Sequence, residues 1–322
     1  MNPMDPERPE LEFESKACPM GCNAGDEIIL RGRDRLHHLP GEFTLVRCRA
    51  CALMRTNPRP TQRSVSFYYP EDYGPHLRAP VRSGTSQGPL PRLKALLYKL
   101  FQFDDYRLPP LKPGPLLEVG CASGAFLNQM AGKGWDVWGI ELSANAAGRA
   151  RASGLDVYQG PLESAPDPDR PFHLVVAWMV LEHLYDPLAA LVKLRRWTSQ
   201  GGWLVISVPN AASMEFRLFR SFWYALQLPT HAFHFTPRTL RRVLERGGWK
   251  MERLFHQKNL SNLLSSMGYV LQERGLWQSV AGRLIRFPEY PGWERYAVFP
   301  FAYLASFLGQ TGRMTVWARR QD

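Results

Sequence analysis

The sequence predicts an α/β fold with a mostly parallel sheet covered by helices on both faces. Three observations carry this. From Pro115 onward, strand-like apolar runs alternate with helix-like segments. The first run, Leu116–Val119, holds an acid near its end, Glu118, and leads into the glycine-bearing turn Gly120-Cys121-Ala122-Ser123-Gly124. The second, Trp135 to Ile140, is closed by another acid, Glu141. Alternation of this kind implies parallel strands joined by crossover helices.

Taken in order, Leu116–Val119 reads as a strand and Gly124–Gly132 as a helix. Trp135–Ile140 is a strand, Ala144–Ala152 a helix and Leu155–Tyr158 a third strand. Phe172–Trp178 is a fourth, followed by a helix from Pro187 to Trp197. Gly202–Val208, stopped by Pro209-Asn210, is a fifth. Thr236 before Pro237 is a helix start, because a threonine hydroxyl caps free N–H groups and proline suits the first turn. That helix runs to Gly247, and Trp249–Phe255 and Arg313–Ala318 supply the last two strands. Residues 257–311 interrupt this pair; rich in leucine and aromatics, they read as a helical insertion over one end of the sheet.

Upstream, residues 1–16 are acidic and proline-rich and read as a disordered leader. Residues 17–75 carry four of the five cysteines, and residues 76–110 read as a linker followed by a helix at Leu93–Phe103. Residues 111–322 form the main domain. There is no signal peptide, and no window reaches the roughly 18 apolar residues of a spanning helix. A cytoplasmic protein is expected, with peripheral membrane contact left open.

In a doubly wound sheet, ligands sit beyond the carboxyl ends of the strands. Gly120 permits a sharp turn and Gly124 a close approach. Glu118 can act on a cationic aminoacyl group, and Glu141 can accept bonds from both ribose hydroxyls. A dinucleotide site would need a G-x-G-x-x-G loop facing a pyrophosphate, and Gly-Cys-Ala-Ser-Gly does not match. The set suits a nucleoside without pyrophosphate and points to S-adenosylmethionine.

Residues 115–255 resemble the class I S-adenosylmethionine-dependent methyltransferases, whose Rossmann-like sheet has seven strands, the last antiparallel. Phe172 to Pro187, with Leu181-Glu182-His183, resembles that family's fourth-strand motif, and Gly201 to Asn210 its fifth-strand hairpin. The resemblance implies that Glu118, Gly120, Cys121, Ala122 and Gly124 surround the methionine end of the cofactor. It places Glu141 and Leu142 at the ribose and Gly160 to Leu162 near the adenine. Ala122 departs from the family, which often has a central glycine there.

Cys18-x3-Cys22 and Cys48-x2-Cys51, 25 residues apart, are two knuckles suited to a tetrahedral structural zinc with no open position. A region this small has little core, so the metal would contribute folding energy. Leu45 to Leu53, Thr56 to Pro60 and Tyr68-Tyr69 resemble bacterial methyltransferases with an N-terminal zinc ribbon, many of them associated with sugar and polysaccharide biosynthesis. Their second knuckle usually ends in glycine; this chain has Ala52.

The acceptor must approach from the segments after the fourth and fifth strands. Glu182-His183 and Leu228 to Pro237, with His231 and His234, fit. Histidine is the natural base for a hydroxyl or an enolisable carbon. His231 and His183 are the leading candidates, with His234 third; fixing loops and capping helices is the alternative role. The same set resembles metal-dependent O-methyltransferases, which carry a further Glu where this chain has Met179. Phe216, Phe219, Phe222, Trp223 and Tyr224 read either as a lid or as core.

The formal charge is +11, with paired arginines scattered along the chain and no run of five like charges. An anionic sugar nucleotide or glycan precursor is the expected acceptor. RNA is the second choice of partner, and a non-catalytic cofactor-binding scaffold is a third reading.

Overall fold

The computed structural model of this chain describes residues 11–69, 106–288 and 294–322. Most of the linker and the helix expected at Leu93–Phe103 lie outside the described residues.

The N-terminal part is built from β1 (Phe13–Glu14), β2 (Asp26–Gly32), β3 (Phe43–Cys48), β4 (Met54–Thr56) and β5 (Arg59–Pro60). Strand β1 pairs with β5, Phe13 opposite Pro60, so the last residues of the expected leader belong to the fold. Arg59 holds that pairing through Glu14, Nε to Oε1 at 3.0 Å.

The main sheet comprises β6 (Pro115–Val119), β7 (Asp136–Glu141), β8 (Asp156–Gln159), β9 (Phe172–Trp178) and β10 (Thr198–Pro209). After β11 (Phe233–His234) come β12 (Trp249–His256) and β13 (Arg313–Arg320). The seven main strands lie in the order β12-β13-β10-β9-β6-β7-β8. Strands β6 to β10 pair in parallel, and β13 runs antiparallel between β10 and β12. The expected seven-strand sheet with one reversed strand is therefore present. Leu116, Leu117, Leu174, Val175, Val176, Leu204 and Val205 have no exposed surface, as strands covered on both faces require. Strand β10 begins earlier than the apolar run, at Thr198; a register shift against β9 between Thr198 and Trp203 absorbs the Gly201-Gly202 turn.

Helix α1 (Ala125–Ala131) follows β6 and α2 (Ala144–Ala152) follows β7, the latter capped by Ser143, whose hydroxyl accepts the Ala146 N–H. Helix α3 (Pro187–Trp197) is capped by Asp186. Helix α4 (Met214–Phe219) precedes two short turns, and α5 (Pro237–Arg246) opens on a Thr236–Thr239 capping box. The insertion is helical: α6 (Ser261–Glu273), α7 (Gln278–Ile285) and α8 (Glu294–Phe307). Gly268 lets α6 meet α7 closely, since a Cβ there would lie 2.8 Å from Ile285 Cγ1.

A second sheet has the order β11-β4-β3-β2. Its outer strand β11 comes from the main domain, with Phe233 opposite Arg55 and His234 opposite Met54. The cysteine-bearing segment thus shares a sheet with the segment that carries the acceptor-side histidines. Phe216, Trp223 and Tyr224 are buried, and the first two pack in a cluster with Phe43, Leu45, Met54 and Tyr68. These aromatics are core joining the two parts, which excludes them from a lid.

Candidate active site

The donor side is organised by the turn after β6. Gly120 has φ +73° and its N–H donates to the Ile140 carbonyl at 2.8 Å. A Cβ on Gly120 would lie 2.5 Å from Val180 Cγ2, so both conformation and space select glycine. Ala122 adopts φ +47°, the left-handed region, which accounts for the glycine more usual at this position. Its N–H donates to Glu141 Oε2 at 2.8 Å, and the Ser143 N–H donates to Glu141 Oε1 at 2.8 Å. Glu141 therefore ties the turns after β6 and β7 together and stands at the strand end where a ribose would lie.

Glu118 is 4% exposed, and among the described residues its Oε2 meets no hydrogen-bond donor. Burial, and then the charge of Glu141, hold its carboxyl well above the ordinary carboxylate range. A buried carboxyl oxygen without a donor beside a glycine turn leaves a place for a hydrogen-bonding group of a ligand. Cys121 is buried, its Sγ lying 2.7 Å from where a Gly139 Cβ would stand; its side chain is packing. Leu162 is buried, whereas Leu142 is 67% exposed beside Glu141. Trp178 ends β9 and forms an aromatic group with Phe126 and Tyr106, centroids 5.5 and 5.0 Å away. Only the end of the β9 run hinted at this group.

On the acceptor side, the structure brings Glu182, His183 and His231 together. One ligand atom from each lies within 4.8 Å of the others. The ring centroids of His183 and His231 are 4.6 Å apart, edge to face. The His231 Nδ1 lies 2.9 Å from the Ala225 carbonyl. A carbonyl only accepts, so Nδ1 carries the proton and Nε2 the lone pair. The His183 Nδ1 meets both the Thr230 carbonyl, 3.0 Å, and the Tyr69 hydroxyl, 2.8 Å. Glu182 has no exposed surface, and neither of its oxygens meets a donor among the described residues. Burial pushes its carboxyl up to about 8, pushes His183 down to about 4, and holds His231 well below the usual range. Burial thus keeps both histidines neutral.

His234 is set apart: its centroid lies 6.1 Å from that of His231, and burial pushes it down to about 3. Neither of its ring nitrogens meets a partner among the described residues, and His183 acts on it electrostatically. Arg313, at the start of β13, opposes the Glu182 shift and favours neutral His231, which places its charge near this pocket. Neither composition nor motif singled out Arg313 or Thr230. Each is recognisable only once the strands are assembled.

Two contacts fix the His231 backbone from the N-terminal part. The Thr56 hydroxyl donates to the His231 carbonyl at 2.7 Å, and the Thr56 N–H donates to Ala232 O at 3.0 Å. The four thiols of Cys18, Cys22, Cys48 and Cys51 also converge, all Sγ atoms within 4.8 Å of one another and none in a disulfide. Each knuckle closes through an N–H behind its first cysteine, Gly21 to Cys18 O at 3.0 Å and Ala52 to Cys48 O at 2.9 Å. Ala52 takes φ +63°, the conformation for which glycine is the commoner choice. Four thiols at this separation fit a tetrahedral zinc.

A doubly wound sheet of this strand order, with acids closing its first two strands beyond a glycine turn, defines an S-adenosylmethionine-dependent methyltransferase. The family model for the methyltransferase domain matches residues 93–254, and the chain belongs to that family. It is similar to the ubiquinone biosynthesis O-methyltransferase of Thiobacillus denitrificans, 31% identical over 162 residues, 45% of this chain and 68% of that protein. The malonyl-[acyl-carrier protein] O-methyltransferase of Erwinia billingiae is 32% identical over 124 residues, 38% of this chain. That match spans only 49% of the Erwinia protein. Among solved structures, an S-adenosylmethionine-dependent methyltransferase from Mesorhizobium loti is 19% identical, covering 71% of this chain and 96% of its own, with a TM-score of 0.45.

Proposed function

We propose that this methyltransferase alkylates a small anionic acceptor, a sugar nucleotide or glycan precursor first, with His231 as proton acceptor. The observation that carries the reading is the buried Glu182–His183–His231 group, in which His231 Nδ1 is held by a carbonyl and Nε2 keeps its lone pair. When bound, S-adenosylmethionine supplies an electrophilic methyl group on a sulfonium. Glu118 meets the α-amino group and Glu141 the ribose hydroxyls, joined by the turn from Gly120 to Gly124 and by Leu142 and Leu162. His231 Nε2 would take the proton that the acceptor O–H or acidic C–H gives up when it is methylated. Most of the rate then comes from in-line positioning. Arg313 supports an anionic acceptor, and the relatives named O-methyltransferases support an oxygen acceptor over carbon.

In this reading the N-terminal cysteines hold a structural zinc, and residues 17–75 form a ribbon that buttresses the acceptor loop. Incubation with labelled S-adenosylmethionine and a panel of nucleotide sugars tests the assignment. Label in a sugar nucleotide, lost in His231→Ala, is expected; label only in RNA would sink it.

A second reading rests on the orphaned Glu182 oxygens. With His183 and His231 Nε2 they can hold a divalent cation, each imidazole steadied by a carbonyl on its other nitrogen. Metal analysis separates the two: one metal per chain after Cys→Ser replacement of the thiol cluster favours this reading, and none favours the base.

A further inference from the structure

Helix α8 carries an apolar face that points to solvent. Ala297, Pro300, Phe301, Leu304, Phe307 and Leu308 recur at intervals of three and four residues, and all are exposed. Phe301 is 69%, Leu304 56%, Phe307 82% and Leu308 59% exposed, whereas Ala302 on the opposite side is buried. From Tyr296 to Leu308 the sequence has no charged residue. A surface helix ordinarily turns its apolar stripe inward, and soluble monomers rarely leave a continuous apolar patch bare. Here the stripe faces outward.

The charge around it identifies what covers it. The insertion, residues 257–311, carries four arginines and one lysine against three glutamates, within a chain of net charge +11. Lys258 lies against the helix, its Nζ 4.8 Å from the Tyr303 ring centroid. The same insertion presents a second apolar point at the α6–α7 turn. There Leu276 and Trp277 are 48% and 73% exposed, with Arg274 beside them and Arg283 and Arg286 following on α7. A protein interface carries a polar rim and about one hydrogen bond per 100–200 Å². On the α8 stripe from Ala297 to Leu308, Tyr303 at its border is the exposed side chain with a hydroxyl. Apolar side chains with Trp and Tyr, bordered by Arg and Lys, are instead the composition of helices lying in the boundary of an anionic bilayer. Among the described residues no helix is long and apolar enough to cross a membrane, so contact with a bilayer would be at its surface.

We infer that α8 docks this enzyme onto an anionic phospholipid surface, with Phe301, Leu304 and Phe307 entering the acyl boundary and the neighbouring arginines meeting headgroup phosphates. This binding is separate from the donor and acceptor pockets and does not depend on which acceptor is methylated.

The test is co-sedimentation of the full chain with vesicles of equal parts phosphatidylglycerol and phosphatidylcholine, beside pure phosphatidylcholine. Pelleting with the anionic vesicles and much less with the neutral ones is expected. The triple variant Phe301→Ser/Leu304→Ser/Phe307→Ser should partition at least tenfold less, with cofactor affinity and circular dichroism unchanged. Phe307→Ser alone, at the most exposed position, gives the same direction should the triple variant misfold. Arg283→Gln/Arg286→Gln should weaken binding to the anionic vesicles only. The proposal falls if the wild type stays in the supernatant, or if the triple variant pellets as well as wild type, which is adsorption by charge alone. It also falls if lipid-free protein self-associates through this face in sedimentation velocity.

Discussion

Thr56→Val isolates the link between the cysteine-bearing segment and the proposed base. The Thr56 side chain is buried, and its hydroxyl donates to the His231 carbonyl at 2.7 Å across 175 residues of sequence. Valine keeps the shape and removes the donor. A buried carbonyl left without a partner costs about 1–3 kcal/mol. If the loop relieves that cost by shifting His231, the same energy on the barrier slows methyl transfer by roughly 5- to 150-fold. Glu118 and Glu141 stand on other strands, so the calorimetric Kd for S-adenosylmethionine should stay within twofold of wild type, by roughly the additivity expected of distant sites. The assays are single-turnover transfer to an acceptor from the panel and 15N NMR of the histidine rings, which reports the His231 tautomer without any acceptor. A variant that melts at lower temperature yet keeps its rate and its His231 signals would refute the positioning role. A cofactor Kd that weakens in step with the rate would refute the separation of the two pockets.

Three further outcomes are expected. Glu141→Ala removes an acceptor for the Ala122 and Ser143 N–H groups and for the ribose, and bonds to a charged group are worth about 1.5–3 kcal/mol each. Calorimetry should show the cofactor Kd rise by at least 100-fold, about two such bonds' lower bound. Glu215 is fully buried, one oxygen accepting the Gly312 N–H at 3.0 Å and Trp223 lying close by, and burial pushes its carboxyl up to about 7. A folded-state value raised from 4.5 means stability present at low pH and lost as pH rises through about 7, by about 3 kcal/mol in all. Glu215→Gln should therefore melt higher than wild type at pH 8 and lose that advantage near pH 4.5. Cys48→Ser should lower zinc content from about one ion per chain toward zero, because four thiolates complete a structural site. Because β4 carries Thr56, acceptor turnover should fall with the melting temperature; full turnover without zinc would separate the cluster from the site.

The main domain was legible because its signals are local. Apolar runs, the cap at Thr236, and the turn from Gly120 to Gly124 each act within a few residues, and each element formed where its run lies. Glu118 and Glu141 were found for the same reason, since a strand end followed by a glycine turn is a short pattern. The acceptor side was legible only in part. Glu182, His183 and His231 converge in the structure, yet nothing local separates them from His234, which on β11 pairs with Met54. Arg313 and Thr230 reach the pocket through strand order and a loop, and neither leaves a trace at its own position. The aromatics from Phe216 to Tyr224 read equally as lid or core, because burial against Phe43 and Tyr68 is a contact across more than 140 residues.

That long-range pairing gives the cysteine cluster its sense in a methyltransferase. A metal knuckle far from the donor would be idle if it folded alone as an appended module. Here Cys48 ends β3, β3 pairs with β4, β4 pairs with β11, and β11 follows His231 by two residues. Arg242 on α5 closes the circuit by donating to the Cys51 carbonyl at 3.1 Å. The Tyr69 hydroxyl reaches His183 from the same N-terminal part, and Arg59 stacks on Tyr185, two residues further on. Both histidines are thus held from the N-terminal side, while both cofactor acids are held by the main sheet. In the proposed reading the base is tied to the second sheet through β11 and the two acids to the main sheet, so a change in the N-terminal part would reach His231 before it reached Glu118 and Glu141.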